Sequence, residues 1–254
     1  MSVYDAVAGS FDRHRALPEG AALAVREAVL GAVAAPQPRL LDIGAGSGRL
    51  GWAFVAAGDD YVGLDLSFGM LQAFKARSDI ANAPALVQAD ARALPFAAGS
   101  FDAVLLVQVF GGLAGWRSLL DEARRVLRAG GTLMLGRTVN DPGGIDARMK
   151  RKLASLLGET PRPDNRRDAA ERHLAGSASA STQLVPARWT AERSPDGFLD
   201  RHAGGAQFNR LPAALRRQAL AALRDWAVGE FGRLDVRFTE TQRFELRLFK
   251  FAEG

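Results

Sequence analysis

Six positions carry the chemistry that this sequence can do: Asp42, the alternate glycines Gly44, Gly46 and Gly48, and the acids Asp65 and Asp90. Glycine has no Cβ, so its backbone can come close to another group. Three of them in Gly44-Ala45-Gly46-Ser47-Gly48 mark a bend where main chain meets a partner. A helix is expected to start near Ser47 to Arg49, and its first N–H groups would face the same space. Asp65 closes the apolar segment Tyr61–Leu66, where an acid can accept hydrogen bonds from both hydroxyls of a ribose. A nucleotide-like ligand fits this set. A tight strand-to-helix connection with nothing bound is the alternative.

The elements that must hold these residues read as alternating strands and helices. Leu40, Leu41 and Ile43 form a short apolar run, as in a parallel strand covered on both faces. Tyr61–Leu66, Ala85–Gln88, Phe101–Val107 and Thr132–Gly136 repeat that character. Between them lie helical stripes. Ala22, Val25, Val29 and Val33 follow Pro18-Glu19 and run to a stop at Ala35-Pro36-Gln37-Pro38. Leu50, Ala53, Phe54 and Ala57 come next, and Leu119, Ala123 and Val126 precede Gly130 as the helix stop. The alternation predicts a doubly wound α/β fold. Phe244, Leu246, Leu248 and Phe249 to Phe251 give an apolar closing strand.

Composition narrows the chemistry. A chain of 254 residues, 48% apolar, is enough for one large α/β domain with an insertion. It has no cysteine, which excludes disulfides, thiolate metal sites and a cysteine nucleophile. His14, His173 and His202 are scattered, so no metal is expected. The net charge is +5, yet the arginines are spread along the chain, and the short basic pieces at 148–152 and 162–167 suit solvated helix faces. A nucleic-acid partner is therefore not expected. No basic-then-apolar leader and no apolar run near the ~20 residues of a membrane span are present, so a soluble, cytoplasmic protein without a membrane partner is expected.

The spacing G-x-G-x-G departs from the G-x-G-x-x-G of nicotinamide-binding folds. With Asp42 it makes D-x-G-x-G-x-G, which resembles the first motif of the class I, Rossmann-like S-adenosylmethionine (SAM) dependent methyltransferases of small-molecule type. Two further stretches carry the resemblance: Gln88-Ala89-Asp90-Ala91-Arg92-Ala93-Leu94-Pro95-Phe96, and Arg125-Val126-Leu127-Arg128-Ala129-Gly130-Gly131, which is close to R-V-L-x-P-G-G. The match is closest over Arg39 to Leu135; the carboxyl-terminal half matches only in layout.

The resemblance implies a mostly parallel seven-stranded sheet with an antiparallel C-terminal strand and a helical insertion after strand five. It divides the chain into an N-terminal cap and first helix (1–38), a SAM-binding core (39–140), a helical, partly mobile lid (141–181) and C-terminal strands and helices completing the acceptor pocket (182–254). It also implies that SAM, and its product S-adenosylhomocysteine (SAH), meet Asp42, Gly44 and Gly46 at the methionine end. Asp65 takes the ribose, Met70 packs on the adenine, Asp90 takes the exocyclic amine and the Ala91 amide a ring nitrogen, with Ala45 and Leu66 also at the cofactor. Phe11 and Arg15 match a (Tyr/Phe)-Asp-x-x-Arg segment that closes over the cofactor, and Gln108 lines the transfer site. The turn Gln108 to Leu113 lacks the histidine or acid that the family often carries there, so no catalytic residue is assigned. Asn140-Asp141-Pro142-Gly143 falls one strand late and lacks the second proline and the tyrosine of the adenine-N6 enzymes. The expected function is methyl transfer to a small-molecule acceptor. The alternatives are a SAM- or SAH-binding protein without transfer, an RNA or protein methyltransferase, and a nicotinamide oxidoreductase.

Overall fold

Leu40, Leu41, Asp42 and Ile43 are all buried, as in a strand with neighbours on both edges and cover on both faces. They form β1 (Leu40–Ile43), the centre of the computed structural model, which describes residues 17–77, 83–110, 115–158, 166–203, 208 and 211–252. The other strands are β2 (Tyr61–Asp65), β3 (Ala85–Gln88), β4 (Phe101–Val107), β5 (Leu127–Asn140), β6 (Ala180–Arg193) and β7 (Phe238–Lys250). They form one seven-stranded sheet in the order β3-β2-β1-β4-β5-β7-β6. β1 to β5 pair in parallel and the C-terminal strands run antiparallel, as the sequence predicts. The order reverses between β1 and β4, which sets a crevice at the carboxyl ends of those strands.

The described helices are α1 (Glu19–Gly31), α2 (Gly51–Ala56), α3 (Phe68–Ala76), α4 (Trp116–Val126), α5 (Ile145–Leu156), α6 (Arg166–Ala175), α7 (Pro195–Ala203) and α8 (Ala213–Phe231). Several boundaries differ from the expected ones. α1 ends at Gly31, and Val33, beyond it, is only half-buried. α2 starts at Gly51 because Gly48 has a φ of +76°, which no α-helix contains; Ala57, counted in its stripe, is exposed. Gly130 is not the stop of α4. The helix ends at Val126, where Leu127 turns extended and pairs with Phe101, and the last carbonyls, of Arg125 and Val126, accept the N–H groups of Gly99 and Ser100. Gly130 sits instead where the β4–β5 register jumps from Phe101↔Leu127 to Ala103↔Thr132.

Contacts divide the chain into two units: Met1–Thr138 with Asp164–Ala187 and Phe244–Gly254, and Val139–Pro163 with Arg188–Arg243. The stretch 141–181, expected as one insertion, is thus shared between them. In the first unit Leu41, Ile43, Val104 and Leu106 pack with Leu119, Leu120, Ala123 and Val126 of α4. Ser179 donates its N–H and its hydroxyl to Lys250 O.

The second unit has its own core, in which Ile145, Met149 and Leu153 meet Phe198, Leu199, Ala219 and Leu223. Glu240 is buried there and caps α5 by accepting the Ile145 N–H, while Asp146 pairs with Arg193 and Arg201. Trp189 donates its indole N–H to Gln242, which donates to Asn140. Among the described residues no helix is long and apolar enough to cross a membrane.

One glycine outside the turn motif is demanded by packing. A Cβ on Gly51 would lie 2.3 Å from the Tyr61 hydroxyl and 2.7 Å from Phe74 Cζ. Gly51→Ala is expected to lose about 1–3 kcal/mol to overpacking in urea unfolding; a variant as stable as the wild type would contradict this contact.

Candidate functional site

The glycine turn hangs on the end of β2. Gly44 and Ala45 both donate their N–H to Leu64 O, at 2.7 and 3.0 Å, and Gly46 donates to Asp65 Oδ2 at 2.9 Å. Asp65 Oδ1 accepts the Ser67 N–H at 2.8 Å, and the Ser67 hydroxyl caps α3 by accepting the Met70 N–H. The half-buried Asp65 is thus held by main chain from two elements at the tip of its strand.

The helix expected to start near Ser47 to Arg49 starts at Gly51, and the Gly44, Ala45 and Gly46 amides of the turn before it are already used by the protein. The missing Cβ atoms also serve the protein itself. At Gly44 a Cβ would lie 2.4 Å from Val109 Cγ1, and at Gly48 it would lie 2.2 Å from the Phe74 ring. Only at Gly46 is the nearest atom the movable end of a side chain, Met70 Cε at 3.3 Å. Met70 is buried behind the turn. The apolar side chains that reach solvent beside Asp65 are Leu66, 58% exposed, and Phe68, 56% exposed.

Asp42 faces the interior. It is 3% exposed, and its Oδ2 accepts the Tyr61 hydroxyl at 2.8 Å, while its Oδ1 has no partner. Burial pushes its carboxyl up to about 7, the nearby charge of Asp65 adds to this, and the Tyr61 hydrogen bond opposes it. Tyr61 stacks on Phe54 and meets Phe74 edge-on. Asp42 is therefore tied through Tyr61 to Phe54 of α2 and Phe74 of α3.

The tip of β3 lies beside that of β2. Ala89 donates its N–H to Asp65 O at 3.2 Å, and the Gln88 side-chain amide donates to Leu66 O at 3.2 Å. This brings Asp90 and Ala91 next to Asp65 and Leu66. The Asp90 carboxylate is gripped by Arg92, whose hydrogen bonds hold it below the usual carboxylate range. The loop after it is fixed by residues of α4. Arg125 donates to Leu94 O at 3.0 Å and Phe96 O at 2.8 Å, and Glu122 accepts the Leu94 N–H at 2.7 Å while also holding Arg125. Neither role was assigned from the sequence, although Arg125 stands in a motif that was noticed.

At the crevice, Gln108 has a φ of +57°, the one positive value outside glycine among the described residues. Its N–H donates to Gly136 O, which also accepts from Arg167 of α6, and its Oε1 accepts from Arg49 of the glycine turn at 3.2 Å. A strained backbone braced from several sides at a strand tip marks a place where side-chain direction matters. The structure thus gathers Gly44, Ala45, Gly46, Asp65, Leu66, Met70 and Gln108 around one turn, with Asp90 and Ala91 one strand away and Asp42 in β1. Phe11, Arg15 and residues 111–113 lie outside the described residues. Among the described residues no group of acids and histidines could hold a metal.

Residues 41–135 match the methyltransferase domain family. A demethylmenaquinone methyltransferase from Renibacterium salmoninarum is 36% identical over 136 residues, which are 53% of this chain and 56% of that protein. Another from Clavibacter sepedonicus is 34% identical over 163 residues, 61% of this chain and 66% of that protein. The chain therefore spans less than two thirds of either relative. Among solved structures, the YcgJ protein from Bacillus subtilis has the same fold, with a TM-score of 0.59 at 20% identity, covering 91% of this chain and 99% of that one.

Asp42 gives the site a pH signature. With its carboxyl raised in the folded state to about 7, the stabilisation from keeping it protonated is complete below about pH 4 and is lost as pH rises through 7. Asp42→Asn removes that loss. Relative to wild type it is expected to gain about 2–4 kcal/mol between pH 4.5 and pH 8 in urea unfolding at both values. A constant difference would contradict the buried, unpaired Oδ1.

Proposed function

We propose that this chain, whose residues 41–135 belong to the methyltransferase domain family and whose sheet is the class I Rossmann-like one, is a SAM-dependent methyltransferase acting on a small-molecule acceptor. The observation that carries the cofactor is the Asp65 carboxylate, fixed by the Gly46 and Ser67 amides at a strand tip with an exposed apolar residue, Leu66, directly after it. A ribose diol needs a fixed acceptor, and a purine ring needs an apolar surface beside it. Both are present within two residues.

The rest of the donor set fits the same group. Asp90 and the Ala91 amide, on the neighbouring strand tip, offer an acceptor and a donor to the edge of an aminopurine. The unpartnered, buried Oδ1 of Asp42 suits a water that would relay a hydrogen bond toward the methionine end. Gly44, Ala45 and Gly46 shape that end through the turn geometry, since their amides are used by β2. Met70 supports Gly46 from behind. Phe11 and Arg15 complete the proposal as a cover over the cofactor.

When bound, SAM supplies a methyl group already made electrophilic by its sulfonium, so transfer needs an in-line acceptor and exclusion of water more than an acid or base. Gln108, rigidly braced at the crevice, is the residue proposed to orient the acceptor. Demethylmenaquinone, in the names of the two relatives, is a small molecule, which supports that class of acceptor.

Asp65→Ala tests the cofactor assignment. SAH affinity by calorimetry is expected to fall about 5- to 150-fold, the factor for about 1–3 kcal/mol of lost charged hydrogen bonds, with the circular dichroism unchanged. Equal affinity in the folded variant would refute it.

A further inference from the structure

Arg92 occupies the acid that the proposed base would need. Its backbone N–H and Nε donate to Asp90 Oδ1 at 2.9 and 3.0 Å, and its Nε and terminal nitrogen donate to Oδ2 at 3.1 and 2.6 Å. A carboxylate offers about four lone-pair sites, and three N–H groups of Arg92 already engage it, the single Nε–H being shared between the two oxygens. The side chain reaches this position past Gly115, the left-handed residue at the cap of α4, where a Cβ would lie 3.1 Å from Arg92 Cδ. The arm therefore crosses a gap that glycine leaves open. Both partners are partly exposed, at 53% for Arg92 and 38% for Asp90, so the guanidinium can pass to water when the bond breaks.

We infer that Arg92 is an affinity and selectivity determinant of the base site: it occupies Asp90 in the free protein, and the exocyclic amine of an aminopurine must displace it. This rests on the cofactor reading above. Removal of the competitor strengthens binding of a ligand that donates at this position. A 6-oxo purine behaves in the opposite way, because its oxygen is repelled by Asp90 and suits the donors of Arg92. Arg92 therefore narrows the difference between 6-amino and 6-oxo ligands, and its loss widens it.

The test is calorimetric titration of SAH and of S-inosylhomocysteine, its 6-oxo counterpart, into wild type, Arg92→Ala and Arg92→Lys. SAH is expected to bind Arg92→Ala about 1.5- to fivefold more tightly than wild type, the range for releasing a surface ion pair, with Arg92→Lys between them. S-inosylhomocysteine is expected to gain nothing, so the ratio of the two affinities rises in Arg92→Ala. Raising the salt concentration is expected to bring wild type toward Arg92→Ala for SAH, since the ion pair is screened. SAH binding equally or less tightly to a folded Arg92→Ala would overturn the inference and make Arg92 a support for Asp90. Absence of SAH binding to wild type would remove the cofactor reading, and the inference with it. Binding of SAH with an equal gain for both ligands would remove only the inference.

Discussion

Asp65 accepts one main-chain N–H on each carboxylate oxygen, from Gly46 before α2 and from Ser67 at the cap of α3. Those bonds decide where the glycine turn, the end of β2 and the start of α3 stand relative to one another. The turn adds its own support through Gly44 and Ala45 on Leu64 O, so its backbone is shaped before any ligand arrives. Such preorganisation lowers the ordering cost of binding. It also explains why the glycines are needed without open space at each of them: Val109 and Phe74 fill the places of two missing side chains.

Two sequence signatures far apart in the chain act as one device. The Leu94-Pro95-Phe96 loop is clamped by Glu122 and Arg125, which belong to the helix that leads into β5. The tip of β3 is tied to the tip of β2 through Ala89 and Gln88. At the other side of the crevice Gly136 O holds the left-handed backbone of Gln108 and is itself held by Arg167. Each strand tip around the crevice is thus fixed by a residue from a different element, which is how a sheet edge made of loops acquires a defined geometry.

The strand layout was legible in the sequence because buried parallel strands are continuous apolar runs, and β1, β2 and β4 are such runs with few polar interruptions, while β3 is a half-exposed one. The glycine spacing and Asp65 were legible because both are constraints on the backbone. What was not legible depends on partners distant in sequence. The start of α2 is set by the left-handed Gly48 and by the Tyr61 hydroxyl against Gly51. The end of α4 is set by the pairing of Leu127 with Phe101, and Gly130 looked like a helix stop only because that pairing leaves no local trace. Asp42 read as an open ligand, yet a tyrosine in the next strand makes it a buried partner. The grip of Arg92 on Asp90 joins residues two apart, and a sequence motif does not say which neighbour an acid will choose.

A crystal structure of the protein with SAH measures the central geometry directly. The expected result is a ligand lying across the tips of β1, β2 and β3, with both ribose hydroxyls within about 3 Å of the Asp65 carboxylate oxygens and the purine against Leu66. Density for SAH at another place, or none at that crevice under saturating ligand, would contradict it.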